Sequence, residues 1–85
     1  MKLIKNSFAG TLQSNDCLIR LSPGDEVKIS LESPVSYEFG DQIRSLVEGI
    51  LAEEGIEGAL VEIEDKGALD CTIEARLKTA IGRAI

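Results

Sequence analysis

With 85 residues, the chain can fold as one compact unit around one modest core and has no room for a separate catalytic domain. Its 44% apolar content includes only 4% aromatics and no Trp, so the core is built from Val, Ile, Leu and Ala, and no run approaches the roughly 18 apolar residues of a membrane span. A net charge of −6 with no basic stripe argues against nucleic-acid binding, since Lys and Arg neutralising phosphates supply most of that affinity.

Charge is unevenly placed: residues 1–20 sum to +2, residues 21–66 to −9 and residues 67–85 to +1. A solvated acidic middle accounts for this, and an acidic docking surface is the alternative. The opening MKLIKNS lacks the long apolar segment of a signal peptide, so a cytoplasmic protein is expected.

Ser7 to Leu21 reads as two strands, FAGTLQ and DCLIRL, around a polar tip. With Ser14 and Asn15 as the loop, Leu12 faces Cys17, Gly10 faces Ile19 and Phe8 faces Leu21, which gathers the apolar set on one face. A four-residue loop from Gln13 to Asp16 keeps the same pairing. Either loop leaves Ser14 at an exposed tip. Pro23 and Gly24 fit the centre of a type II turn, and a third strand with Val27, Ile29 and Leu31 follows. Pairing it back as a second hairpin needs an odd loop or a bulge.

Ser33 and Pro34 make a helix start, with Ser36 as the alternative cap. Phe39, Ile43, Leu46, Val47, Ile50 and Leu51 then form a helical stripe that ends before Gly55. Gly49 in its interior suggests close packing against the sheet. Ala59 to Glu64 alternates as a strand, with Ala59, Val61 and Ile63 on one face. After the DKG turn a second helix starts between Ala68 and Asp70, its buried stripe being Leu69, Ile73, Leu77, Ala80, Ile81 and Ala84; a hairpin carrying ALD into a short strand is the alternative. In the turn from Asp65 to Cys71, Gly67 supplies positive φ, Leu69 a core contact and Asp70 a cap, partner docking by this segment being the alternative. The expected fold is α+β: one domain over residues 1–85, in the order β-β-β-α-β-α, with a mainly antiparallel sheet and two helices packed on one face.

The chain has no histidine, its carboxylates mostly sit at solvent-facing positions, and no glycine-rich phosphate loop follows a strand. No catalytic residue is therefore assigned. Cys17 and Cys71 form no CxxC pair and sit among apolar residues, so both are expected as buried free thiols, a disulfide being the alternative. Two thiols without histidine argue against a metal site. What remains is the Ser14 hydroxyl on a protruding tip, which a modifying enzyme can reach. By itself it is an ordinary turn serine.

The common phosphopantetheine acyl carrier, a four-helix bundle with its serine in a D-S-L motif, does not fit. Neither Ser-Leu pair, Ser30 with Leu31 after Ile29 or Ser45 with Leu46 after Arg44 within a helix, is preceded by Asp. Two other patches carry a resemblance: AGTLQSND at Ala9 to Asp16, and DKGALDCTIEARL at Asp65 to Leu77. Together with FGDQIR at Phe39 to Arg44, they make the sequence similar to the gamma, or acyl carrier, subunit of citrate lyase, over nearly the whole chain. Gln13 stands where that family has Glu, and the chain stops soon after the last helix.

The resemblance implies an acyl carrier domain acting in citrate fermentation. Its serine, Ser14 here, is joined through a phosphodiester to 2'-(5''-phosphoribosyl)-3'-dephospho-CoA, making the protein a phosphoprotein. The implied partners are the alpha (acyl transferase) and beta (citryl lyase) subunits and the holo-transferase that attaches the arm. Such a subunit is not itself an enzyme; it presents acetyl and citryl thioesters for citrate cleavage to oxaloacetate and acetate. A cofactor bearing the reactive thiol leaves the protein to supply attachment and docking, in line with the missing histidine. Asn15 and Asp16 either help the attaching enzyme recognise the loop or simply shape the turn. The rival readings are the acyl carrier subunit of malonate decarboxylase, an unmodified protein-interaction domain and, third, a small enzyme.

Overall fold

The computed structural model describes residues 2–33 and 36–85, with the side chains of residues 36–39 excepted. The elements run β1 (Ser7–Gly10), β2 (Cys17–Ser22), β3 (Val27–Glu32), α1 (Ser36–Glu53), β4 (Ala59–Asp65) and α2 (Asp70–Ala84). This is the β-β-β-α-β-α order that the sequence implies. The proposed start at Pro34, the Ser36 cap and the place of Phe39 in the stripe lie outside the described residues.

The strands form one sheet in the order β1-β2-β4-β3. β1 pairs antiparallel with β2, β2 antiparallel with β4, and β3 parallel with β4. The second hairpin expected from the sequence is therefore absent: β4 inserts between β2 and β3, and β3, α1 and β4 make a βαβ unit. Gly24 is not among the residues with positive φ, which removes the type II turn as well. The segment after Ser22 instead passes the start of β4, where the Ala59 N–H donates to the Glu26 carbonyl at 3.2 Å. β4 takes the centre because Ala59, Val61, Ile63 and Asp65 are all buried, whereas the inward residues of β3 are only partly so.

Both helices lie on the sheet face that carries Cys17, Ile19, Leu21, Ala59, Val61 and Ile63. From α1 come Ile43, Val47, Ile50 and Leu51, and from α2 Ile73, Leu77, Ala80, Ile81 and Ala84. The stripe called from helical periodicity thus holds in α2 except at Leu69, which is exposed. α1 ends in a Schellman motif: the Ile56 N–H reaches the Leu51 carbonyl at 2.9 Å and the Gly55 N–H the Ala52 carbonyl at 3.1 Å, with Gly55 at φ 69°. Gly49 does not mark close packing, since a Cβ there would meet nothing within 4 Å.

The last carbonyl of α2 is covered by the chain's first segment: Ile4 and Lys5 N–H groups donate to the Ala84 oxygen at 2.9 and 3.2 Å. Ser7 Oγ donates to the Ala80 carbonyl at 2.6 Å, and Arg83 Nη1 to the Phe8 carbonyl at 2.9 Å. α2 is thereby tied along β1, with its N-terminal end beside the loop that follows that strand.

Candidate functional site

The register between β1 and β2 is one residue off the sequence reading. Phe8 pairs with Arg20, Ala9 with Ile19 and Gly10 with Leu18. Ala9, and not Phe8 or Leu12, therefore joins the core face; Phe8 and Leu12 are exposed. The cause lies at Gly10, whose φ of +105° suits glycine and where a Cβ would run into the Cys17 carbonyl. The strand ends there, leaving a six-residue connection, Thr11–Asp16, in place of a tight turn.

Asp16 organises that loop. Its Oδ2 accepts from Thr11 Oγ1 at 2.6 Å and its Oδ1 from the Cys17 N–H at 2.7 Å. Arg76, on α2, grips the same carboxylate, Nε to Oδ1 at 3.0 Å and Nη2 to Oδ2 at 2.8 Å. The guanidinium first, then the Thr11 hydroxyl and the Cys17 N–H, hold the Asp16 carboxyl well below the usual carboxylate range, and the partnership raises Arg76 in turn. Two further bonds close the loop's N-terminal half: the Gln13 N–H to Thr11 Oγ1 and the Asp16 N–H to the Gln13 carbonyl, each 3.2 Å.

The other side of the loop rests on the β4–α2 turn. The Asn15 N–H donates to the Lys66 carbonyl at 2.7 Å, and the Lys66 N–H to the Asp16 carbonyl at 2.9 Å. Asn15 takes φ 66°, a left-handed value that Asn accepts more readily than most residues. The turn is itself pinned by Asp65, a carboxylate only 2% exposed. Its Oδ1 accepts the Gly67 and Ala68 N–H groups at 3.2 and 2.8 Å, and its Oδ2 the Ser33 hydroxyl at 2.7 Å. Gly67 has the positive φ read from the sequence, 93°.

Ser14 stands exposed between these two sets of bonds, flanked by exposed Gln13 and Asn15. Among the described residues its hydroxyl has no hydrogen-bond partner. The loop backbone is thus bonded on both sides of the exposed Ser14 side chain. Asp16 and Asn15 shape the turn, one of the two roles left open for them.

Three expectations at this end change. Leu69 makes no core contact, and it, not Asp70, holds the N-cap position of α2, with no side-chain cap. Asp70 lies in the first turn, where its charge suits the helix N-terminus. Cys17 is a buried free thiol as expected, but the free Cys71 is exposed, since the stripe of α2 turns it outward. Sequence reasoning assigned no site role to Thr11, Arg76 or Asp65. The Asp-x-Gly pattern at Asp65 was the available signal for a carboxylate folding back on its own turn; the Asp16–Arg76 pair had none. A surface depression lined by Lys2, Leu3, Pro23, Gly24, Asp25, Glu57 and Gly58 lies at the opposite end of β2 and β4 from this loop. Among the described residues no group of three or more His, Cys, Asp or Glu could hold a metal ion, and no helix is long and apolar enough to cross a membrane.

Comparison with known proteins gives these features a context. Residues 4–84 match the acyl carrier family model described as malonate decarboxylase delta subunit (MdcD). A citrate lyase acyl carrier protein from Treponema denticola is 49% identical over 84 residues, 99% of this chain and 97% of that one. Another, from Haemophilus influenzae strain PittEE, is 49% identical and covers 99% of this chain and 88% of its own. Among solved structures, a chain of a Pseudomonas malonate decarboxylase hetero-tetramer in complex with malonate superposes with a TM-score of 0.82, covering 100% of this chain and 93% of that one. At 19% identity, that likeness is one of fold.

This small α+β domain is of the acyl carrier class, whose members are non-catalytic carrier subunits. The chain belongs to the family of citrate lyase acyl carrier proteins.

Proposed function

We propose that the chain is the acyl carrier subunit of a cytoplasmic citrate lyase, and that Ser14 is where its phosphoribosyl-dephospho-CoA group is attached. The observation that carries this reading is the Ser14 hydroxyl itself, exposed and without a partner on a loop whose backbone is bonded on both sides. Nothing has to move aside for a phosphodiester to form there, so the residues present fit such a group. Ser14 Oγ is the nucleophile towards phosphorus; the new P–O bond forms as the hydroxyl proton leaves and the precursor's leaving group departs.

The bound group supplies the thiol on which acetyl and citryl are carried. The protein's own work is positional. Asp16, Arg76 and Thr11 hold the base of the loop, Asn15 and Lys66 hold its side, and Ser14 projects beyond them. A tether on a rigid base raises the local concentration of an acyl group at the alpha and beta subunits, provided the arm spans the distance. The same use of Ser14 within a malonate decarboxylase is the second reading, favoured by the description of the matching family model and by the fold likeness. The 49% identity to citrate lyase carriers over the whole chain favours the first.

Intact mass after incubation with the activated precursor and its holo-transferase tests the site. One added arm on the native chain and none on Ser14→Ala is expected. No addition to the native chain, with the transferase active on a known carrier, overturns the assignment. Restoration of citrate cleavage when the charged carrier is added to carrier-depleted citrate lyase, and no restoration of malonate decarboxylase, separates the two readings.

A further inference from the structure

Leu69 and Leu12 are large apolar side chains left in water, 71% and 50% exposed, on the two segments that are bonded together beneath Ser14. Leu12 belongs to the Ser14 loop itself. Leu69 closes the β4–α2 turn, whose Lys66 exchanges backbone hydrogen bonds with Asn15 and Asp16. Single exposed leucines are ordinary on protein surfaces, and Phe8 and Leu60 are others here. Leu69 differs because of the position it occupies. It is the N-cap of α2, with extended φ −74° and ψ 158°, where Ser, Thr, Asp or Asn would satisfy a free N–H of the first turn and Leu satisfies none. The helix forgoes a cap and exposes an apolar side chain at the same residue, which is a cost in stability without a compensating contact inside the chain.

We infer that Leu69 and Leu12 form the apolar contact on which the enzyme acting at Ser14 seats the rim of its active site. This rests on the reading of Ser14 as the attachment residue. The occupant follows from geometry: an enzyme that brings catalytic groups within hydrogen-bond reach of Ser14 Oγ must cover the loop carrying it, and the turn bonded to that loop is covered with it. Exposed leucines that such a contact removes from water contribute binding energy in proportion to the apolar area they bury. The partner surface is accordingly an apolar collar around the entrance to its active site.

The test is steady-state kinetics of arm attachment by the holo-transferase on the native chain, Leu69→Ser, Leu12→Ser and Leu60→Ser, with thermal unfolding of each. Leu60 lies at the far end of β4, opposite Ser22, and serves as the control. Leu69→Ser supplies the missing cap, so its Tm should rise by a few degrees while its KM for attachment rises about tenfold. Leu12→Ser should raise KM similarly, and Leu60→Ser should leave it unchanged. A residue with only a structural role would not separate stability from KM in this way. Unchanged KM for both Leu69→Ser and Leu12→Ser, on a native chain that is modified normally, overturns the docking contact and leaves the Ser14 assignment intact. No modification of the native chain overturns the Ser14 reading and this inference with it.

Discussion

Arg76 and Asp16 lie 60 residues apart in sequence and meet side by side, through two parallel hydrogen bonds of 3.0 and 2.8 Å. The fork of a guanidinium matches the two oxygens of a carboxylate, so this geometry fixes orientation as well as distance. Because Asp16 also takes the Cys17 N–H and the Thr11 hydroxyl, one carboxylate joins α2, the start of β2 and the first residue after β1. The loop bearing Ser14 is therefore referenced to the helix.

That arrangement makes the protein sensitive to acid in a defined way. The folded-state pKa of Asp16 is depressed below its ordinary value of 3.8. A group of this kind contributes stability that is full above the unfolded value and is lost progressively as pH falls below it towards the folded value. Tm measured between about pH 7 and pH 2 should fall more steeply below about pH 4 for the native protein than for Asp16→Asn, and the two curves should converge. Parallel curves throughout would show that the pairing contributes nothing to stability.

The two thiols should behave oppositely. Burial, with the Asp16 and Asp65 charges adding to it, pushes the Cys17 thiol up to about 11, whereas Cys71 is exposed on the first turn of α2. The thiolate is the reactive form, so both protonation state and access protect Cys17. Iodoacetamide at mildly alkaline pH should alkylate Cys71 alone in the folded protein and both residues in denaturant, as read by peptide mass mapping. Equal labelling of Cys17 in the folded state would show that β2 opens readily.

Asp65 is the buried charge on which the β4–α2 turn is built. Asp65→Ala leaves the Gly67 and Ala68 N–H groups and the Ser33 hydroxyl without this acceptor and should cost about 2–4 kcal/mol of unfolding free energy in urea titration. Asp65→Asn keeps an amide oxygen for the two N–H groups and should cost less. Attachment at Ser14 should weaken with Asp65→Ala, because the Lys66 carbonyl that holds Asn15 moves with the turn.

What the sequence disclosed about this molecule depended on the range of the interaction. Period-2 alternation at Ala59, Val61 and Ile63, and the stripe from Ile73 to Ala84, report local geometry, and both elements stand where the pattern puts them. Alternation names the buried face of a strand but not its neighbour, so nothing local revealed that β4 separates β2 from β3. The slip between β1 and β2 has the same origin: apolar Phe8 and Leu12 offer a plausible inward face, and only the close approach of Gly10 to Cys17 decides against it. Ser14 was legible as an exposed tip, because a polar break between two strands requires one. Arg76 was not assigned to that tip, since a contact across 60 residues leaves no spacing to read.

Glycine substitutions separate the positions that need the residue from those that merely have it. At Gly10, φ +105° and the Cys17 carbonyl in the path of a Cβ make Gly10→Ala a backbone collision in β-sheet, and it should cost about 3 kcal/mol or more. At Gly49, within α1, a Cβ meets nothing within 4 Å and the backbone is already helical. Gly49→Ala should therefore add about 1 kcal/mol, chiefly by narrowing the unfolded ensemble, which for a domain of this size raises Tm by about 4–8 °C. Because Gly49 is remote in the fold's logic from the Ser14 loop, its variant should accept the arm at the native rate; Gly10→Ala, which displaces the residue preceding Thr11, should accept it slowly even at temperatures where it remains folded. A Gly49→Ala protein less stable than the native one would mean that a partner surface, not the helix, sets that position.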